Sequence, residues 1–265
     1  MLLKSHEGIE LGIEIYHMSH IEKALNLPFD FIIVEPERRH LSELEFCQKY
    51  EQKDFYKRLF ETFPDKPILI QLPRPETIQM HFMINETPSF NMMNFSRFSH
   101  FYMEELDAIS KHNHNHLSII IPDLVNRDDY RQIKQHIISF FNRKNYPEIG
   151  IGLGIDTTET FYNHKAYPKF NYAIIELEKI FYEIYDNAKE DGIKYLKDLL
   201  QLKYELKRRN KPLYIRGETL HRFNGFRGLL KNGFKHFVID ETKFNLYLEM
   251  IKACKIEQEL RQISP

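Results

Sequence analysis

The sequence predicts a single (β/α)8 barrel, and three observations support this fold class. The chain has 265 residues, close to the roughly 250 residues of such a barrel. Eight short apolar runs recur along the chain, and stretches with the spacing of amphipathic helices separate them. Regular alternation of strand and helix is typical of parallel βαβ units. We therefore expect one α/β domain over residues 1–265.

The apolar runs are continuous, whereas half-exposed strands alternate apolar with polar residues. Strands that other elements cover on both faces have this continuous pattern. In chain order, the predicted strands are 9–15, 29–35, 66–72, 117–123, 149–156, 170–176, 212–216 and 236–240.

The intervals between the runs carry apolar residues three and four positions apart with charges between them, as helices with one buried stripe do. The pattern is clearest at 42–63, 130–144, 193–210 and 242–260. The third interval, 73–101, is long, and we expect an excursion of the chain over one end of the barrel. No Gly-x-Gly-x-x-Gly motif follows the first strand, which disfavours an open dinucleotide-binding sheet.

Composition excludes several classes of protein. Lys and Arg number 37 against 38 Asp and Glu, so no overall charge favours nucleic acid or an anionic membrane. No run approaches the ~18 apolar residues of a membrane span. The two cysteines, Cys47 and Cys254, lie far apart and encode neither a disulfide framework nor a zinc motif. These features predict a cytoplasmic protein without nucleic acid or membrane partners.

The histidine-rich segment 112–116, "HNHNH", attracts notice because imidazoles are common metal ligands. It precedes the fourth predicted strand and so belongs to the end of the barrel opposite the usual active site. We interpret it as a solvated loop.

Active sites of such barrels lie at the carboxyl ends of the strands. Asp156 ends the fifth predicted strand, and Glu176 and Glu178 stand at the end of the sixth. Asp156 with either glutamate could hold Mg²⁺, which prefers oxygen ligands. Alternatively, the same carboxylates cap helices or pair with Arg216 at the end of the seventh strand. The positions at the predicted strand ends are Glu14, Glu35, Gln71, Asp123, Asp156, Glu176, Arg216 and Asp240.

Four segments, 9–41, 50–72, 117–137 and 216–240, carry a resemblance that extends over nearly the whole chain. The last reads "RGETLHRFNGFRGLLKNGFKHFVID". Together they resemble the C-terminal barrel of the phosphoenolpyruvate-utilising enzymes, the family of enzyme I of the sugar phosphotransferase system, pyruvate phosphate dikinase and phosphoenolpyruvate synthase. The resemblance implies a barrel of the phosphoenolpyruvate/pyruvate-binding type and a homodimer.

The resemblance also implies roles for single residues. Gly217 and Glu218 stand as in the family, whereas Arg216 occupies the place of its catalytic cysteine. Asp156 matches one magnesium ligand, and Glu178 lies one place before the second, which falls on Lys179.

The phosphate-binding arginines of the family have no direct counterpart. Two of them fall on Pro36 and Gln71, with Arg38 and Arg74 close by in sequence. The predicted site therefore has Arg216 and Glu218 as catalytic residues, Gln71, Arg74 and Arg38 as substrate-binding residues, and Asp156 and Glu178 as ligands of Mg²⁺.

Two functional hypotheses follow. In the first, the barrel lacks phosphoryl transfer and binds a small acidic metabolite or a protein partner. In the second, it is a Mg²⁺-dependent transferase or lyase that acts on phosphoenolpyruvate or a 2-oxo acid, with Arg216 holding a carboxylate. We favour the first, because the departures from the family cluster at the site while the scaffold pattern persists.

Overall fold

The computed structural model describes residues 8–36, 49–73, 99–122, 127–167, 169–184 and 191–263. Within them lie eight strands, which begin and end close to the predicted positions. They are β1 (Glu10–Glu14), β2 (Phe31–Val34), β3 (Ile68–Gln71), β4 (Leu117–Ile121), β5 (Gly150–Ile155), β6 (Tyr172–Glu176), β7 (Leu213–Arg216) and β8 (His236–Ile239).

The strands form a closed parallel barrel in chain order. Each strand pairs with the next, and β1 pairs with both β2 and β8. The α/β class and the (β/α)8 architecture predicted from the sequence are thereby confirmed.

Helices surround the barrel. Those in the described part of the chain are α1 (Met18–Ala24), α2 (Lys49–Thr62), α3 (Ser99–Ser110), α4 (Arg127–Arg143), α5 (Thr158–Asn163), α6 (Leu177–Ile184), α7 (Asp191–Arg208), α8 (Phe223–Lys231) and α9 (Phe244–Ile263). Single 3-10 turns cover His164–Ala166, Glu218–His221 and Glu241–Lys243.

Helix α4 shows how the sequence pattern produces these helices. Its buried side chains include Ile133, Ile137 and Phe141, spaced four residues apart, so they form one stripe that faces the strands. Asp128 lies in the first turn and Arg143 in the last, where each charge interacts favourably with the helix dipole.

Each strand has two buried faces. On β2, the outward-facing Ile32 and Val34 join the main core beneath the helices. The alternate residues Phe31 and Ile33 belong to a second apolar cluster inside the barrel. This burial on both sides explains the continuous apolar runs of the sequence.

Aromatic rings fill the barrel interior. The ring of Tyr214 lies 4.8 Å from that of Phe31 and 5.4 Å from that of Tyr172, edge to face in both pairs. Gly12 and Gly152 make room for two of these rings, since a methyl group at Gly12 would collide with Phe31 and one at Gly152 with Tyr172. The interior is therefore a packed core and not a channel.

One local prediction holds except at a single residue. Residues 112–116 form a loop in which Asn113, Asn115 and His116 are exposed, yet His114 is buried and its Nε2 lies 3.0 Å from the carbonyl oxygen of Phe63. Its Nδ1 accepts the backbone N–H of His116, and burial lowers the pKa of His114. Its neighbours in the sequence are polar, so the pattern does not reveal this buried role.

The predicted excursion over 74–98 lies outside the described residues. Among the helices that the structure describes, none combines the length and the apolar composition needed to cross a membrane.

Candidate functional site

Polar side chains occupy most of the inward-facing positions at the carboxyl ends of the strands, and five of them form the candidate site. Side chains alternate between the two faces of a strand, so the position two residues after an inward apolar residue also faces the interior. On β3, Leu69 faces the interior, and Gln71 follows it by two. We call this set the mouth layer: Glu35, Gln71, Asp156, Glu176 and Arg216.

Arg216 connects this layer across the barrel. Its Nη1 contacts Glu35, and its Nη2 lies 3.4 Å from Glu176 and 3.9 Å from Asp156. Glu35 follows β2, whereas Arg216 ends β7, and β8 and β1 lie between these strands. The contact therefore passes through the barrel interior, which places the guanidinium at the centre of the mouth.

The layer is buried and rich in negative charge. Side chains of Arg216, Glu35 and Asp156 expose 3% or less of their surface, whereas that of Glu176 exposes 33%. Burial lowers the pKa of Arg216 to about 10, and the negative charge of Glu14 opposes this shift. The guanidinium thus stays charged at neutral pH.

Gln71 is the other notable member of the mouth layer. It is 1% exposed, and neither its amide nitrogen nor its amide oxygen has a hydrogen-bonding partner in the described part of the chain. Leaving a buried polar group without a partner costs about 1–3 kcal/mol. A ligand with one donor and one acceptor group, or a carboxylate with a water molecule, would remove this cost.

Glu178, predicted as a metal ligand, contacts the backbone of the loop after β7. Its carboxylate accepts the backbone N–H groups of Glu218 and Thr219, at the start of the 3-10 turn after β7. Gly217 has a φ of 133°, and a side chain there would collide with Glu178. Glu178 therefore holds the β7 loop in place.

The remaining predicted residues fall into two groups. Glu218, predicted to be catalytic, is exposed and contributes its backbone N–H to Glu178. Arg38 and Arg74, predicted to bind substrate, and Asp123 lie outside the described residues. The structure brings Asp156 and Arg216 together, 3.9 Å apart, and places Gln71 at the same end of the barrel.

Magnesium does not fit the described residues at this position. They contain no group of three or more His, Cys, Asp or Glu side chains arranged to hold a metal ion. Nη2 of Arg216 lies close to both Asp156 and Glu176, so a guanidinium stands beside the carboxylates that a divalent ion would use. A second cation at that place would be repelled.

Two histidines near the end of β8 were not singled out from the sequence. His20 lies 3.7 Å from Glu241, and His221 Nδ1 lies 2.8 Å from the hydroxyl of Tyr247. Burial is the main cause of a lowered pKa in both histidines, which favours neutral imidazoles at pH 7. Isolated histidines in helical segments carry no pattern that distinguishes them from core residues.

A closed barrel of eight parallel strands with charged residues at its carboxyl-terminal mouth defines the class of this protein as a (β/α)8 barrel. No family model matches the chain, and no curated protein matches it in sequence.

Solved structures share the fold. A HpcH/HpaI aldolase/citrate lyase family protein from Burkholderia cenocepacia J2315 has a TM-score of 0.56 and 10% identity, covering 97% of this chain and 96% of its own. Citrate synthase SbnG has a TM-score of 0.55 and 9% identity, covering 96% and 95%. A variant of the same citrate synthase has a TM-score of 0.54 and 8% identity, covering 95% and 94%. The likeness therefore concerns the fold, and none of the three is named as a phosphoenolpyruvate-utilising enzyme.

Proposed function

We propose that this barrel binds a small 2-oxo acid at its mouth and makes or breaks a carbon–carbon bond next to the oxo group, as a lyase of the aldol type. The observation that carries the proposal is the buried mouth layer. In it Arg216 lies among three carboxylates, and Gln71 occupies another inward-facing position without a hydrogen-bonding partner in the described residues. Burying these charges is costly for stability. Such groups at the catalytic end of a barrel indicate chemistry.

The fold neighbours support the reaction class. Two of the related structures are named as a citrate synthase and its variant, and the third as an aldolase/citrate lyase family protein. Those names describe carbon–carbon bond formation or cleavage in small carboxylic acids. The proposal thus moves from the binding role without phosphoryl transfer, which the sequence favoured, to the lyase alternative.

The mouth residues suit the steps of such a cleavage. In a 4-hydroxy-2-oxo acid, a base removes the proton of the C4 hydroxyl, and this oxygen forms a double bond to C4 as the bond between C3 and C4 breaks. An aldehyde leaves, and the electrons of the broken bond form an enolate, which takes a proton at C3 to give the 2-oxo acid. Glu176 is the most exposed carboxylate beside Arg216 and is our candidate for the base. The charge of Arg216 would stabilise the enolate oxygen, since fixed cations at developing negative charge lower the barrier.

Gln71 would orient the substrate. Its side-chain N–H can donate to the carboxylate of the substrate, and binding would provide the hydrogen bond that the buried amide otherwise lacks. Such a contact would hold the oxo group of the substrate in a fixed position relative to Arg216, so substrate binding would also orient the reacting atoms.

A second candidate function is binding without catalysis. Arg216 already has three carboxylate neighbours, and Glu178 is held by backbone N–H groups. A guanidinium that its own protein neutralises is less available to a substrate. In this case the barrel would act as a sensor or partner protein for a small acid.

Two measurements together separate these functions. Calorimetry would measure the binding of oxalate, an enolate mimic, with and without Mg²⁺. A coupled assay with lactate dehydrogenase and NADH would follow pyruvate released from 4-hydroxy-2-oxopentanoate. Replacing Gln71→Met should weaken oxalate binding by about tenfold because one hydrogen bond is lost. The exposed Gln132→Met on α4 is the matched control.

The outcomes are distinct. Binding together with pyruvate release supports the lyase, and binding alone supports the second candidate. If oxalate does not bind, or if Gln132→Met weakens binding as much as Gln71→Met, the mouth layer is not a site for small acids and both proposals are wrong.

A further inference from the structure

A cavity lies at the end of the barrel opposite the mouth layer, where β7 and β8 begin. Its volume is about 520 Å³, within the range of roughly 300–1,000 Å³ that small-ligand sites occupy. The end of α7 and the turn after α8 border it. Its polar lining residues in the described part of the chain are Lys203, Lys207, Asn210, Lys211, Lys235 and His236.

Four lysines of this cavity have no carboxylate partner among the described residues. None of Lys203, Lys207, Lys211 and Lys235 forms an ion pair with a residue in that part of the chain. The nearby carboxylate of Glu10 is held by the ring of His236, at 2.9 Å. The cavity therefore concentrates positive charge that the described residues do not neutralise.

The lysines also affect one another. Burial lowers the pKa of Lys203, and the positive charges of Lys207 and Lys235 lower it further. On the adjoining surface, burial lowers the pKa of Lys134, and Lys169 and Lys211 add to that shift. Mutual repulsion of this kind is relieved when an anion enters.

The helix dipoles at the cavity do not compensate all of this positive charge. The carboxyl ends of α7 and α8 point to the cavity, and each carries the equivalent of about −0.5 charge. Part of that charge is already satisfied, because backbone N–H groups of Lys211 and Phe234 return to carbonyl groups of the last turns. The four ammonium groups carry four positive charges, whereas the two helix ends together supply about one negative charge. Roughly three positive charges therefore remain without compensation from the helices.

One lysine is held in place, and the apolar lining provides a surface for a ligand body. Lys203 Nζ donates to the carbonyl of Asn232 and lies 5.0 Å above the ring of Phe234. Pro212, Leu213 and Phe234 supply apolar area. An anchored lysine costs less ordering entropy on binding than a free one.

We propose that this cavity binds a small phosphorylated molecule, with its phosphate groups on the lysines and its less polar part against Pro212 and Leu213. Ammonium groups hold phosphate as point charges. The site lies at the end of the barrel away from the mouth layer, so the proposal is independent of the lyase function.

Calorimetry at low salt would test the site with pyrophosphate, ADP and adenosine. Lys207 and Lys235 are exposed, so Lys207→Gln with Lys235→Gln removes two charges with little risk to folding. The control combines Lys197→Gln and Lys252→Gln, which are exposed lysines outside the cavity. Thermal melting would confirm that both variants are folded.

We expect pyrophosphate or ADP to bind with Kd below about 1 mM, and the cavity variant to bind about tenfold more weakly. Tighter binding of ADP than of pyrophosphate would support the contact of the ligand body with Pro212 and Leu213, whereas equal binding would contradict that part of the proposal. The proposal is wrong if neither anion binds, if the control variant loses as much affinity, or if an oligonucleotide binds far more tightly than ADP.

Discussion

At the scale of single residues, Arg216 determines the character of the mouth. It ends β7 where the sequence changes from apolar residues to charge, and it faces carboxylates that come from β2, β5 and β6. A buried ion pair is weak evidence for stability, because apolar residues of similar volume often stabilise a protein more. Stability therefore does not explain the presence of these charges at the carboxyl-terminal mouth.

Arg216→Met should destabilise the protein by about 3–5 kcal/mol at pH 7, because Glu35 and Asp156 would remain buried without their cation. Urea unfolding of the variant and of the unmodified protein at pH 7 measures this loss.

The control for this variant is Arg131→Met, since Arg131 forms an exposed pair with Asp128 on α4. Exposed pairs contribute about 0–1 kcal/mol. If Arg216→Met costs no more than Arg131→Met, the mouth layer does not depend on the guanidinium.

Residues of the mouth layer could be predicted because strand ends can be read from the sequence. Gln71, Asp156 and Arg216 were found in this way. The role of Glu178 could not be, since its partners are backbone N–H groups 40 and 41 residues away. Such a contact depends on the conformation of a 3-10 turn, which no side-chain pattern encodes.

At the scale of elements, the inward face of β5 consists of glycine. Gly150, Gly152 and Gly154 alternate with buried Ile151, Leu153 and Ile155. The glycines allow large side chains of neighbouring strands to fill the interior, as Tyr172 does opposite Gly152. Strand β5 therefore tolerates no substitution on that face without movement of its neighbours.

Gly152→Ala should destabilise the protein by about 1–3 kcal/mol, because the added methyl group meets the ring of Tyr172. Gly228→Ala is the matched control, since a methyl group there meets no atom within 4 Å. In the interior of α8 it should stabilise by up to about 1 kcal/mol. Thermal melting measures both variants. Shifts of the two melting temperatures in the same direction would contradict this account.

At the scale of the whole molecule, the sequence predicted the barrel because each local pattern agreed with it. Eight apolar runs became the eight strands, and the order of pairing followed from short connections. Pairing of Arg216 with the carboxylates that follow β5 and β6 was one alternative from the sequence. Two other properties were beyond it: the contact of Arg216 with Glu35 across the barrel, and the convergence of Lys203 and Lys235 in one cavity. Both arise only when the barrel closes.

Association remains a prediction at this scale. The resemblance described from the sequence implies a homodimer, so light scattering should give twice the 32.0 kDa of one chain. Measurements over a range of protein concentrations are needed, because dissociation follows mass action. A mass of 32.0 kDa at every concentration would contradict it.

The filled barrel interior also affects how the two ends of the barrel can evolve. Strand β7, with four residues, spans roughly 13 Å, and the rings of Phe31, Tyr172 and Tyr214 block the space beside it. No solute can pass from one end of the barrel to the other along its axis. Substitutions at the two ends should be energetically additive, as is usual for sites that share no contacts. Selection could then alter one end of the barrel while the other end keeps its affinity.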